Sequence, residues 1–192
     1  MTQALRGMKI AFLVANEGIE QVELTEPWTA IEEAGGRPVL IAPERGEAQA
    51  FNHLDKADSF PVEVQASDAQ VSDYAGLVLP GGVANPDALR LDSDAVAFVK
   101  GFVDQGKPIA AICHAPWTLV EADVVKGKAL TSWPSLRTDI SNAGGQWSDE
   151  PVVISDTQGW TLVTSRKPDD LPAFNKAAVT AFSSGGPGDQ AG

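Results

Sequence analysis

The stretch Lys107–Leu119, "KPIAAICHAPWTL", decides how this chain is read. Ile109 to Ile112 is a short apolar run, as in a strand covered on both faces. It stops at Cys113-His114. Pro116 then suits the first turn of a helix, because its missing N–H would have no partner there anyway. A strand, a tight turn and a helix in that order form the pattern of a nucleophile elbow, a strained turn that thrusts a side chain out of a sheet. In an open parallel sheet, ligands bind beyond the carboxyl ends of the strands, and Cys113 stands at such an end. The start of a helix also stabilises a thiolate and lowers a thiol's pKa. The residue types alone leave two readings open: a small buried hydrophobe or a nucleophile.

Outward from this stretch the chain alternates. Met8–Ala15, "MKIAFLVA", is a buried strand. "VELTEPWTAIEEAGG" puts Val22, Trp28 and Ile31 near one helical face and ends at Gly35-Gly36. "RPVLIAP" and "YAGLVLPGG" are further strands. "SDAVAFVKGFVDQG" starts at Ser93 as N-cap, carries Val96, Val99 and Val103 at helical spacing, and stops at Gly106. Residues 46–66 are polar with short β-like pieces, and 146–165 place turn residues between two β-rich runs. Both read as hairpins, the first alternatively as a long loop. "DDLPAFNKAAVTAF" closes the fold as a helix. Strand and helix in alternation imply right-handed βαβ units on a mostly parallel sheet with helices on both faces. The expectation is one domain over residues 1–192, folded from about 8 to 182, with a Gly/Ser/Pro-rich disordered tail over 183–192.

Composition excludes several classes. The net charge is −12, which argues against a nucleic-acid or anionic membrane partner. One cysteine cannot form an internal disulfide, which fits a reducing cytoplasm. No apolar run approaches the ~20 residues needed to span a bilayer, and no small-residue cleavage pattern follows the first apolar run. One cysteine and two histidines lack the paired spacing of a zinc site.

Two other stretches bear on Cys113. "LVLPGG" ends a strand at Gly81-Gly82, where backbone N–H groups can approach a reacting centre as an oxyanion hole requires; a plain turn is the alternative. "GIEQVEL" follows the first strand with Glu20 and Glu23 on one helix face. Facing the crevice, such a carboxyl group is desolvated, its pKa raised, and able to donate a hydrogen bond to a thiolate. Facing water, both are ordinary acids of a first helical turn.

With "GIEQVEL", "LVLPGG", "NPDALR", "KPIAAICHAP" and "TSRKPDDLPAF" together, the chain resembles the PfpI-type members of the ThiJ/PfpI superfamily from about Met8 to Phe182. The resemblance implies an α/β fold, a flavodoxin-like three-layer sandwich related to glutamine amidotransferase domains. It implies Cys113 as nucleophile, His114 as its neighbouring histidine, Glu23 as the acid bonded to the thiol and Glu20 as a second acid at the mouth. Gly82 and His114 would supply oxyanion amides. Asp87 falls where such proteins place an acid that reaches a neighbouring subunit's histidine, which requires a dimer or larger closed oligomer. Two positions differ from the common pattern. Ala115 replaces a glycine and narrows the site, where it and Trp117 would touch substrate, and Asp87 is one methylene shorter than glutamate. A glutamine amidotransferase triad needs a histidine downstream of its cysteine, and none follows His114; the other, His53, reads as surface or structural.

The function so implied is a stress-response enzyme acting through Cys113 on reactive carbonyls such as methylglyoxal or its adducts on proteins, without a cofactor. An intracellular cysteine peptidase and a redox sensor oxidised at Cys113 are the alternatives. An oligomeric scaffold with an inert thiol is the plainest one.

Overall fold

Lys9–Leu13 forms the first strand, β1, and its side chains divide between two cores. Ala11 and Leu13 pack on one side of the sheet, Ile10 and Phe12 on the other, all fully buried. This two-sided burial explains why the strand reads as an unbroken apolar run. The computed structural model describes residues 3–185; most of the expected tail, 186–192, lies outside them.

After β1 come β2 (Glu17–Glu20), α1 (Gln21–Glu33), β3 (Arg37–Ala42), β4 (Glu47–Asn52), β5 (Asp55–Pro61), β6 (Val64–Gln65) and β7 (Gly76–Leu79). Then follow α2 (Ala84–Leu89), α3 (Ser93–Asp104), β8 (Ile109–Ile112), α4 (Pro116–Glu121), β9 (Ala129–Leu130), α5 (Arg137–Asn142) and β10 (Gln146–Trp147). The hairpin β11 (Val152–Ser155) and β12 (Leu162–Ser165) and the helix α6 (Leu171–Ser183) close the chain. Seven strands form the central sheet in the order β11-β12-β8-β7-β1-β3-β6. Its pairings are parallel except β11 with β12.

On one face Leu24 and Ile31 of α1 and Phe174 and Phe182 of α6 cover the sheet. On the other lie Phe98 and Phe102 of α3, Leu119 of α4 and Ile140 of α5. The architecture is the flavodoxin-like three-layer sandwich, and β8 sits well inside the sheet, between β7 and β12. Residues 46–66 contain the antiparallel pair β4–β5, joined by β2 in a separate three-stranded sheet.

Two local expectations are corrected. The cap of α3 is Asp92, whose side chain accepts from Ala95 N at 2.8 Å, not Ser93. The buried residues of α1 are Glu23, Leu24, Pro27 and Ile31, with Val22 and Trp28 only partly covered. The covered face is therefore turned so that a carboxyl group points inward.

One buried charge helps hold the β11–β12 hairpin. Lys128 is fully buried and its ammonium donates to the carbonyls of Ser155 (3.3 Å), Thr157 and Trp160 (2.6 Å). It also lies 3.9 Å from the Trp160 ring centroid. Burial pulls its pKa down to about 8.

Candidate active site

Cys113 has φ of +63°, a left-handed conformation that costs a non-glycine residue of order 1–3 kcal/mol unless its surroundings impose it. Three hydrogen bonds impose it here. Cys113 N donates to Ser165 O (3.0 Å), which continues the β8–β12 ladder; Trp133 N donates to Cys113 O (2.8 Å); and Ala115 N returns to Ile112 O (3.1 Å). Adjacent side chains on extended backbone point apart. The left-handed turn cancels that divergence and brings Cys113 Sγ within 3.1 Å of His114 Nδ1.

Glu23 is fully buried. Its Oε2 accepts Gly81 N at 3.0 Å, while Oε1 has no partner among the described residues. Burial, reinforced by the nearby charge of Glu20, pushes its pKa up to about 8, against the opposing pull of Cys113 and the amides of Gly81 and Gly82. The carboxyl group therefore keeps its proton at neutral pH. The thiol of Cys113 is also pushed up, first by burial and then by any negative charge on Glu23; the amides of Gly82 and His114 pull the other way. This reverses the expectation of a thiol lowered by the start of a helix. α4 has only six residues, and desolvation outweighs its dipole. Thiol and carboxyl group titrate as a pair. Once the first proton leaves, charge can reside on either partner: the amides of Gly81 and Gly82 draw it to the carboxylate, and those of Gly82 and His114 draw it to the sulfur. His114 is pushed down to about 4 by burial, so its ring is neutral.

The Pro80-Gly81-Gly82 turn serves this pair. Gly81 N–H is spent on Glu23, which corrects its assignment as an oxyanion donor; the amides of Gly82 and His114 point toward the sulfur. Gly82 has φ of +85°, and a Cβ there would strike Gly18 O and lie 2.7 Å from Glu20 N. Asn85, on α2, is a positioning residue that the sequence did not single out. Its Oδ1 accepts Ala15 N (2.6 Å) and its Nδ2 donates to Pro80 O and Gly81 O (both 2.9 Å), tying the ends of β1 and β7 together.

A cavity of about 710 Å³ opens above the sulfur, lined by Glu20, Glu23, Gly82, Asp87, Cys113 and His114 together with Glu17, Phe51, His53, Leu54, Val83 and Trp133 among others. Asp87, exposed, thus lies at the cavity of its own chain. His53 is exposed, as expected of a surface residue, yet it sits at the mouth. The register of β2 on β4 sets Glu20 opposite Phe51. His53 N then donates to Glu20 Oε2 (3.1 Å), with Nδ1 3.7 Å from the same oxygen. Ala115 and Trp117, expected to touch substrate, do not line the cavity. Ala115 is buried in the core on the α3 side. Trp117 donates Nε1 to Asp139 (2.9 Å) and meets the site through the His114 ring, 5.4 Å away. Trp133 stacks on that ring at 5.6 Å and does line the cavity. Among the described residues no group of three His, Cys, Asp or Glu side chains is placed to hold a metal ion, and no helix is long and apolar enough to cross a membrane.

A strained cysteine turn at the carboxyl end of a central parallel strand places this chain among the α/β proteins built on a nucleophile elbow. Comparison with known proteins narrows the class. The DJ-1/PfpI family model matches residues 8–181, and the chain belongs to that family. It is 42% identical over 171 residues to Bacillus subtilis YraA, provisionally named a cysteine protease, covering 89% of this chain and 96% of that one. It is 38% identical over 171 residues to "Protein/nucleic acid deglycase 2" of Escherichia coli K12, covering 89% and 95%. Among solved structures, a two-domain Anabaena variabilis protein with DJ-1/ThiJ/PfpI-like and ferritin-like domains superposes with a TM-score of 0.83 at 29% identity. That match covers 96% of this chain and 51% of the larger one.

Proposed function

We propose that the protein processes reactive carbonyls through Cys113, as a glyoxalase- or deglycase-type enzyme. The supporting observation is a thiol at an elbow, opening on a cavity beside a carboxyl group that holds its proton at neutral pH. The Cys113 thiol adds to the aldehyde carbon of methylglyoxal as its proton passes to the carbonyl oxygen, which gives a hemithioacetal. Glu23 supplies the adjacent hydrogen bond, and the Gly82 and His114 amides face the developing charge. Transfer of the C1 hydrogen to C2 as a proton, through an enediol, converts this adduct to a lactoyl thioester. Glu20, which lines the cavity, relays that proton. Water cleaves the thioester, so methylglyoxal plus water yields lactate and regenerates the thiol with no external oxidant. With an amine adduct as substrate, the amine leaves as the second product.

A cysteine peptidase is the second reading, supported by the 3.1 Å contact between Cys113 and His114 and by the provisional name of the YraA relative. The electrostatics disfavour it. A thiolate–imidazolium pair requires His114 to take the thiol proton. An ordinary thiol near 8.5 already stands about 4.5 units above a ring at about 4, roughly 6 kcal/mol uphill. The upward push on the thiol likewise works against ready oxidation in a redox sensor. A closed homo-oligomer belongs to the same proposal, with Asp87 as the acid that an interface would carry toward the neighbouring chain; sedimentation of wild type and Asp87→Asn tests it.

The deciding experiment follows methylglyoxal loss and lactate formation in reduced wild type and Cys113→Ala. Turnover confined to the wild type supports the reading. No turnover, or turnover that survives in the variant, rejects it.

A further inference from the structure

Four non-glycine residues among the described ones have positive φ: His53, Cys113, Asp123 and Gln158. Two of them, Cys113 and His53, line the same cavity. The strain at Cys113 belongs to its elbow; that at His53 has no such origin. Asn52 pairs with Asp55 across β4 and β5, so His53 and Leu54 form a two-residue turn. Its first position has φ of +59°, and glycine is the residue that takes such a position without steric cost. A strained residue beside a cavity points to a function for its side chain.

The group that His53 meets is Glu20. It is the N-cap of α1, yet its side chain accepts none of the helix's first amides. It turns to the hairpin instead, where its Oε2 accepts His53 N–H at 3.1 Å and lies 3.7 Å from His53 Nδ1. The carboxyl side chain is 12% exposed and the imidazole side chain 87%. One end of the pair thus lies in the cavity and the other in water. The cavity's second histidine is unsuited to carry protons outward. His114 is neutral, its Nδ1 lies against the Cys113 sulfur, and its ring packs on Trp117 and Trp133. The other ionisable groups that line the cavity with His53 are Cys113 and the acids Glu17, Glu23 and Asp87.

We propose that His53 is a positioning residue for Glu20 and the proton outlet of the site: its backbone N–H holds the carboxyl group at the cavity, and its imidazole passes protons between that group and solvent. The proposal rests on the carbonyl-processing reading. In that reaction the C1 proton goes to Glu20 and returns to C2, which needs no outlet. Hydrolysis does need one, because the lactoyl thioester plus water gives lactate, the Cys113 thiol and one proton. Of the two water protons, one goes to sulfur. The other goes to the Glu20 carboxylate, on to the imidazole and then to solvent. No electrons pass to or from any further reactant. Imidazole suits the last transfer because histidine takes up and releases protons near neutral pH.

The test follows lactate formation from methylglyoxal in wild type, His53→Gly, Glu20→Gln and the double variant, with urea unfolding of each. His53→Gly keeps the backbone N–H and removes the strain of the turn, so it should unfold at no lower urea concentration than wild type. Its kcat should fall about tenfold or more. Added imidazole should restore it, once lactate formed by imidazole without protein is subtracted. Adding His53→Gly to Glu20→Gln should cause no further loss, because the histidine acts through that carboxyl group. Equal turnover in wild type and His53→Gly, a lower urea midpoint in that variant, a loss that imidazole does not restore, or a further loss in the double variant would each overturn the proposal and leave the carbonyl reading standing. A wild type that forms no lactate overturns both, before any variant is measured.

Discussion

Replacing Glu23 by glutamine should stabilise this protein, and by more as pH rises. The Glu23 carboxyl group is fully buried, and burial with the charge of Glu20 raises its pKa from an ordinary 4.5 to about 8. The folded state therefore binds a proton that the unfolded chain has released anywhere between those values. Its contribution to stability is complete below about 4.5 and is lost progressively as pH climbs to about 8. The full span, about 3.5 units at ~1.36 kcal/mol each, is about 5 kcal/mol. Glutamine can still accept the Gly81 N–H with its amide oxygen but carries no titrating group. Between about pH 5.5 and 8 the stability of Glu23→Gln relative to wild type should rise by about 3 kcal/mol, and it should level off above. Urea unfolding of both proteins under reducing conditions across that range measures it. Parallel stability curves would refute the buried, proton-holding carboxyl group, and so would a wild type that gains on the variant as pH rises.

Other substitutions probe the rest of the site. Asn85→Ala removes the side chain that pairs Ala15 N and Pro80 O, and leaves Gly81 O with only the Glu20 N–H. It should cost on the order of 3 kcal/mol in urea unfolding and slow alkylation of Cys113 by disordering the glycine turn. Gly82→Ala forces a side chain into a left-handed position against the Gly18 carbonyl; a melting temperature lower by several degrees, about 2 kcal/mol or more, is expected. His114→Gln should leave the pH midpoint of Cys113 alkylation where it is, because the imidazole titrates near 4. A midpoint moved by more than about one unit would make the histidine the thiol's base after all.

Much of the fold was readable because the strands are buried on both faces. Runs such as Ile109–Ile112 and Gly76–Leu79 stay apolar throughout, and the turn residues around them mark their ends. The cysteine turn was readable from Pro116, which begins α4 as expected. What could not be read depends on partners distant in sequence. Glu23 looks like a solvated first-turn acid until Gly81, 58 residues on, donates to it. Asn85 acts on Ala15 from 70 residues away. His53 reaches the site only through the β2–β4 pairing, for which residues 46–66 carry no local signal. Asp92 and Ser93 are both good caps, and only the hydrogen bond to Ala95 separates them. The strained turn at Cys113 was anticipated from its position, but the direction of its pKa was not. Dipole arguments are local, whereas desolvation depends on the whole packed core around the turn.

The claim that carries this account is that Cys113 forms a covalent intermediate with a carbonyl substrate. Wild-type protein quenched in acid during methylglyoxal turnover, digested and analysed by mass spectrometry tests it directly. The peptide containing Cys113 should carry the mass of one methylglyoxal, and hydroxylamine should remove part of that population as the thioester. Continued lactate production with the Cys113 peptide unmodified throughout turnover would contradict the account.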